Sequence, residues 1–386
     1  MTRSLVLGRS ARVALLAVIV FAFLSVHSIA YPVIDSKPSD PNKPAIGCVL
    51  PVSGKNELIG RRVLRGIITA SLPFIPSSRV ELVVMDFGQS DTRLRASFSR
   101  IGKLDNVSLV IGPILTSSVE KALGAIARAK VPTIVFPLSE RDFLGNPYVV
   151  RYGYTLEKQA RVLAQFAIRD LKANKFAVIY PDTKPGRILK GAFTDTVKVL
   201  HGRVGYVKTF SAFMANFEDE VLWLQSMKPD AIFIPHSAKY SADIIGRLRQ
   251  VEELRGTIFL GPDTWNSRTF VKGVGEETRG IYFTDFFFPQ SPRWISFRDR
   301  FVESFGEEPG FLEYEAYEAT SIATDVLRGY NPRGSKDFIE RLASKGSTPW
   351  YEAKRDMSGG LTILPKPYIL MIERGEIRRV ALPSHQ

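Results

Sequence analysis

Cysteine occurs once in 386 residues, as Cys48, and histidine only four times. A single thiol excludes an internal disulfide framework, so an oxidising compartment is permitted without being exploited. His27, His201, His236 and His385 are dispersed, and none has metal-site spacing with Cys, Asp or Glu. No G-x-S-x-G elbow and no Gly-rich dinucleotide fingerprint after the first strand is present. The acid pairs Glu276-Glu277 and Glu307-Glu308 sit in polar, turn-like contexts and read as solvated loops. Catalysis therefore finds no support, although triad members can come from distant positions. A repeat of 20 to 50 residues is also missing, which excludes solenoids and propellers. The longest apolar run, Val13 to Leu24, is 12 residues, short of the roughly 20 that span hydrocarbon.

What is present is the profile of a folded chain: 45% apolar, 24% charged and 11% aromatic residues, with enough length for two lobes. Arg3, Arg9 and Arg12 precede the apolar run, and Ser28-Ile29-Ala30 supplies small residues, the pattern of a cleaved export signal over 1–30. An uncleaved anchor is the competing reading. A Pro-rich linker, "YPVIDSKPSDPNK", follows over 31–43. Because it separates "AIGC" from the apolar run, Cys48 does not read as a lipidation site. Placed inside a strand pattern, it reads as a buried thiol acting as a small hydrophobe. The formal charge of +13 is spread without a long basic run. A basic surface favours acidic ligands, anionic lipid or cell-wall polymer, while scattered charge is also an ordinary solvated surface. No nucleic-acid module is recognisable.

From residue 44 onward, short Val/Ile-rich strands alternate with amphipathic helical stretches. "AIGCVL", "VELVVMD", "VSLVIG" and "VPTIVF" form a first series, and "KFAVIY", "VGYVKTF", "DAIFI" and "GTIFLG" a second. Near-continuous apolar strands separated by helices indicate parallel sheets covered on both faces. The expected fold is α/β, two doubly wound parallel-sheet lobes joined by a three-strand hinge. Lobe 1 is expected over 44–151 plus 281–328, lobe 2 over 152–280 plus 329–386, with crossings near 152, 280 and 328.

The stretch "AIGCVLPVSGKNELIGRRVLRGIITAS" invites a phosphate-loop reading, which fails. The first glycine of G-x-x-x-x-G-K-[ST] would be Val49, the residue after Lys55 is Asn56, and Pro51 lacks an N–H. A strand ending in "LPVSG", a loop and a helix from near Glu57 remain. This unit resembles the first strand-loop-helix of type I periplasmic binding proteins, typified by branched-chain amino acid receptors of ABC transporters. "VIGPILTSSVEKALGAIARAKVPTIVFPLSE", "VVRYGYTLEKQARVLAQFA", "KPDAIFIPHSAKYSADIIGRLRQ" and "FLGPDTWNSRTF" extend the resemblance over residues 44 to 380. "FAVIYPD", "DAIFIP" and the Trp-Asn pair resemble the penicillin-binding protein activator branch, which acts through protein partners.

The resemblance implies a ligand site at the carboxyl ends of the strands, where helix N-termini favour anions. It places Thr116, Ser117 and Ser118 at a ligand carboxylate; helix capping by Thr116 or Ser117 is the plainer alternative. Phe136, Leu138, Ser139 and Glu140 lie at the next strand end, where receptors present small residues and a hydroxyl. Leu138 and Glu140 depart from that pattern, which points away from an ordinary amino acid pocket, and Glu140 is expected to face solvent. Asp263 stands where an acid pairs with the ligand ammonium, or else caps the "WNSRTF" turn. His236 is a candidate donor or a structural residue. Tyr154, Trp265 and Phe286 are candidates for stacking on a ligand or for lobe packing. No cofactor or metal is expected. The implied function is an exported, periplasmic receptor that closes on an amino acid-like solute for an ABC permease. The alternative is a regulator of a cell-wall synthase, and an enzyme is a distant third.

Overall fold

The computed structural model describes residues 32–35, 37–71, 80–140, 142–210, 217–275, 279–327, 335–355 and 359–381. The expected export signal lies outside them. The chain begins with β1 (Ala45–Leu50), α1 (Glu57–Ser71), β2 (Glu81–Asp86), α2 (Asp91–Ile101), β3 (Val107–Ile111), α3 (Thr116–Ala129), β4 (Thr133–Val135) and β5 (Val149–Tyr152). It continues through α4 (Leu156–Arg169), β6 (Lys175–Tyr180), α5 (Lys184–Val199), β7 (Arg203–Thr209), α6 (Glu218–Met227), β8 (Ala231–Phe233), α7 (Ala238–Arg249), β9 (Ile258–Gly261), α8 (Arg268–Val274) and β10 (Ile281–Asp285). Then come α9 (Pro292–Phe305), α10 (Phe311–Leu327), α11 (Ser335–Ser344), β11 (Tyr351–Arg355), β12 (Leu361–Pro365), β13 (Tyr368–Glu373) and β14 (Glu376–Arg379).

Two seven-stranded sheets result, in the orders β11-β12-β5-β4-β3-β1-β2 and β14-β13-β10-β9-β8-β6-β7. β1 through β5 and β12 run parallel in the first sheet, as do β6 through β10 in the second. The antiparallel pairings lie at one edge of each sheet, where β11, β13 and β14 add on. β1 is buried along its whole length, as expected of a strand covered by helices on both faces. Burial pushes the Cys48 thiol up to about 12, so at neutral pH it packs as an apolar group.

The local signals that set the helix starts are visible. Thr155, Thr183 and Ser291 accept from the backbone N–H three residues ahead and open α4, α5 and α9, satisfying donors that a helix start leaves free. Proline follows at the start of α5 and α9, where its missing N–H costs nothing. The linker packs along β2, the edge strand: Ile34 bridges Val84, and Ser39 binds the Glu81 carboxylate through its N–H and its hydroxyl.

The third crossing differs from expectation. β10 belongs to the second sheet, and β11 and β12 belong to the first. Residue 328 lies outside the described set, but α10 before it and α11 after it both pack in the first core, through Ile322, Ala323, Phe338 and Leu342. β12 then pairs in parallel with β5, Leu361 opposite Val150. The chain therefore changes sheets after β5, after β10 and between β12 and β13, so the last crossing falls at 366–367. Parallel β5, β10 and β12 all end where they cross, which turns the carboxyl edges of both sheets toward one hinge.

Candidate ligand-binding cleft

The first-lobe rim is built at the ends of β1, β2, β3 and β4. Asp86 closes β2 by accepting from the N–H groups of Val52 and Gly88 and from the Ser53 hydroxyl at 2.5 Å. This organiser of the rim was not singled out from sequence. After β3, Gly112 takes φ 97° and its N–H bonds Ile134; a Cβ there would overlap the Val49 carbonyl oxygen. That turn delivers α3, whose N-cap is Leu115, with no side-chain capping bond. Thr116, Ser117 and Ser118 form the first helical turn at partly to fully exposed positions. Neither Thr116 nor Ser117 is the cap, so the capping alternative fails on position. An uncapped helix start presents free N–H groups and the positive end of the helix dipole.

The segment after β4 serves the hinge. The Ser139 hydroxyl is buried and donates to Glu157 Oε1 at 2.5 Å, while the Glu140 N–H reaches Glu157 Oε2 at 3.1 Å. Asp142 accepts from the N–H groups of Leu138 and Ser139. Glu140 does not face solvent freely; its carboxylate pairs with Arg161 of α4. Leu138 is 39% exposed. Ser139 is thus committed to a bond between lobes.

Tyr154 and Phe286 sit in two of the crossings, packed on each other with ring centroids 6.4 Å apart. Phe286 stacks on Tyr314 of α10, and Trp294 and Phe297 of α9 complete the cluster. Both are therefore lobe packing. The Tyr154 hydroxyl lies beside Thr284 and has no hydrogen bond of good geometry; burial pushes its pKa up. Trp265 is fully buried, stacked on Phe270 at 4.3 Å, and so is core.

The second-lobe rim carries His236 and Asp263. His236 Nδ1 accepts from the Ser237 N–H at 2.8 Å, and burial lowers its pKa. The ring is therefore neutral at pH 7 with its proton on Nε2, a donor. Asp263 follows β9 in a single 3₁₀ turn and caps nothing; Ser267 caps α8. Its carboxylate accepts from Gln159 Nε2 at 2.8 Å, and its N–H donates to Gln159 Oε1 at 3.2 Å. Asp285, at the end of β10, accepts from Asn266 Nδ2 at 2.8 Å and from the Phe286 N–H at 2.7 Å.

Three acids converge at this junction. Asp263 is half-buried at the surface yet deep in the molecule, and that depth raises its pKa. Burial and then the charge of Asp263 raise Asp285 well above the carboxylate range. The same two causes raise Glu315 of α10 to about 8. Among the described residues no cation pairs with any of the three. Sequence reasoning found Asp263 and missed Asp285, Glu315 and Gln159. The Glu315 carboxylate comes within 3.6 Å of where a Gly153 Cβ would stand, which places it at the first crossing.

A model of the family described as periplasmic binding protein matches residues 44–360. The chain belongs to the periplasmic binding protein family. Solved structures share its fold over 88% of its length. A putative branched-chain amino acid ABC transporter protein from Rhodospirillum rubrum is 18% identical, with TM-score 0.79 and all of that chain covered. The isoleucine complex of a branched-chain amino acid transporter substrate-binding protein from Streptococcus pneumoniae is 18% identical, with TM-score 0.61 and 99% of that chain covered. A Rhodopseudomonas palustris solute-binding protein in complex with 3,4-dihydroxybenzoic acid is also 18% identical, with TM-score 0.59 and 96% covered. Comparison with curated protein sequences finds no match. Like its relatives, this periplasmic binding protein carries two sheets whose carboxyl edges meet at a hinge. Among the described residues, no helix is long and apolar enough to cross a membrane, and no group of metal-binding side chains occurs.

Proposed function

We propose that this periplasmic binding protein is an exported receptor that captures an amino acid-like zwitterion between its lobes and hands it to an ABC permease. The observation that carries the reading is the uncompensated acid group at the junction, with Asp263 at its exposed side. An ammonium entering there supplies the missing positive charge, and a charge-assisted hydrogen bond is stronger than a neutral one. The open first turn of α3, at the carboxyl edge of the first sheet, suits the carboxylate of the same molecule. His236 adds a neutral donor on the second-lobe rim. Ser139, Tyr154 and Phe286 serve the hinge and are left out of the ligand contacts.

This arrangement favours a zwitterion over a simple aromatic acid such as the ligand of the Rhodopseudomonas palustris relative, because an anion without an ammonium meets only repulsion at Asp263. The regulator reading draws no support from the relatives named above, which are described as transporter or solute-binding proteins. Thermal-shift screening decides. Leucine, isoleucine and other amino acids should raise the melting temperature in a saturable way, following RT ln(1 + [L]/Kd), and benzoates should not. No response to any amino acid, together with co-purification of a cell-wall synthase, would sink the receptor.

A further inference from the structure

A second concavity, of about 440 Å³, lies on the flank of the hinge away from α3. Its walls come from β5, β11 and β12 at one edge of the first sheet, from the loop after β4 and from α4 of the second lobe. Five cations line it, namely Arg151, Lys158, Arg161, Lys354 and Arg355, against one acid, Glu140. Arg151 is only 6% exposed and donates to the Glu140 carbonyl at 2.9 Å and to the Thr362 hydroxyl. Arg161 pairs with Glu140, Lys354 with Glu352 at 2.9 Å, and Arg355 with Glu340 at 2.8 Å. Counting Glu140, Glu352 and Glu340 against the five cations leaves an excess of two positive charges, and Glu352 lies near enough to Lys158 to act on its charge as well. Arg151 is held deep, Lys158 and Arg161 are half-buried and Lys354 and Arg355 stand exposed at the mouth, so the concavity runs from a buried guanidinium to a solvated cationic rim. These cations repel one another, least screened at the buried Arg151, and an anion in the middle relieves that repulsion.

We infer that this concavity is a second ligand site, taking a small soluble anion with two or more negative charges. Arg151 forms its floor and Lys158 and Lys354 close on the anion from opposite lobes. Phosphate esters and polycarboxylates share the required chemistry. The volume lies within the range of small-molecule pockets. The site is separate from the cleft assigned to the zwitterion, and the inference stands without that reading.

Titration calorimetry of the purified protein at fixed ionic strength, with inorganic pyrophosphate in one arm and citrate in the other, tests it. At least one should bind saturably with one-to-one stoichiometry, and the arm that binds more tightly tells phosphate from carboxylate chemistry. Lys158→Gln combined with Lys354→Gln should weaken that binding at least tenfold while leaving any leucine response of the cleft in place. A readout on the unaltered protein stands beside the variant: saturating anion should protect Lys158 and Lys354 from amine acetylation, measured by mass spectrometry. Heats no larger than those of chloride at matched ionic strength would overturn the inference, as would unchanged labelling of both lysines or competitive displacement of the anion by leucine.

Discussion

Asp263 combines two opposing demands in one side chain. Its pKa is raised by burial, so the charged form that a ligand ammonium needs is held at a cost to the empty protein. Asp263→Asn removes the charge and keeps a group able to accept from Gln159. We expect the empty protein to hold or gain stability, by up to about 1–2 kcal/mol. Affinity for the ligand should fall by a factor of ten or more, in line with the roughly 1.5–3 kcal/mol of a hydrogen bond to a charged group. Calorimetry with the solute found by screening, beside thermal melts without it, reads both signs. Glu315 gives a pH signature. Its folded pKa of about 8 lies above the unfolded carboxyl value, so folding takes up a proton between the two. Its contribution is complete below the unfolded value near 4.5 and is lost as pH rises toward 8. The melting temperature of the unaltered protein should therefore decline across that window. Glu315→Gln, which leaves Asp263 and Asp285 to titrate, should flatten the decline and stabilise the protein at pH 8 by about 1–3 kcal/mol. Parallel pH curves for the two proteins would refute the assignment.

At the scale of elements, α1 and α10 show how close approach is written in small residues. A Cβ on Gly66 would overlap the Glu313 carbonyl oxygen, and Arg62 binds the same residue's carboxylate through two bonds of 2.6 and 2.7 Å. Glycine inside a helix ordinarily costs up to about 1 kcal/mol relative to alanine. Here the sign should reverse: Gly66→Ala should destabilise by about 2–4 kcal/mol, read by chemical denaturation, whereas Gly191→Ala on α5, where a Cβ meets nothing, should be neutral or stabilising. Periodicity made the strands of both α/β units legible, because strands covered on two faces read as unbroken apolar runs. β5 and β12 escaped it. β5 is four residues long and follows β4 through a loop instead of a helix, breaking the alternation. β12 owes its place to pairing with β5, a contact across some 200 residues that no local pattern encodes. The misplaced third crossing follows from those two omissions. The site was legible in the same uneven way. Asp263 lies in a motif at a strand end, whereas Glu315 stands within α10 beside Glu313 and Glu318, where no local pattern shows which of the three the fold brings to the crossing. Their true partners, the Asp263 charge for Glu315, Arg62 for Glu313 and Arg293 for Glu318, come from distant segments.

For the whole molecule, the question is what holds the lobes at their present angle. Between the loop after β4 and α4 run the Ser139 and Glu140 bonds to Glu157 and the ion pair of Glu140 with Arg161. The aromatic cluster of Tyr154, Phe286 and Tyr314 fills the crossings behind them. The cluster is buried where two crossings meet α9 and α10, which places it to serve as the pivot. The ion pair is about one-third exposed on each side, and pairs of that kind are worth about 0.5–1 kcal/mol. A term of this size cannot lock a hinge but can bias one. Arg161→Met should therefore disfavour the present lobe arrangement and weaken apparent ligand affinity by up to about fivefold, since the apparent constant scales with the fraction in the competent state. Small-angle scattering of the empty protein should shift toward a more open form in parallel. Glu140→Gln should do the same, and the double variant should show no further loss, because the two single changes remove one interaction. If the effects of Glu140→Gln and Arg161→Met instead add in full, the pair does not couple the lobes, and closure must be controlled by the crossings alone.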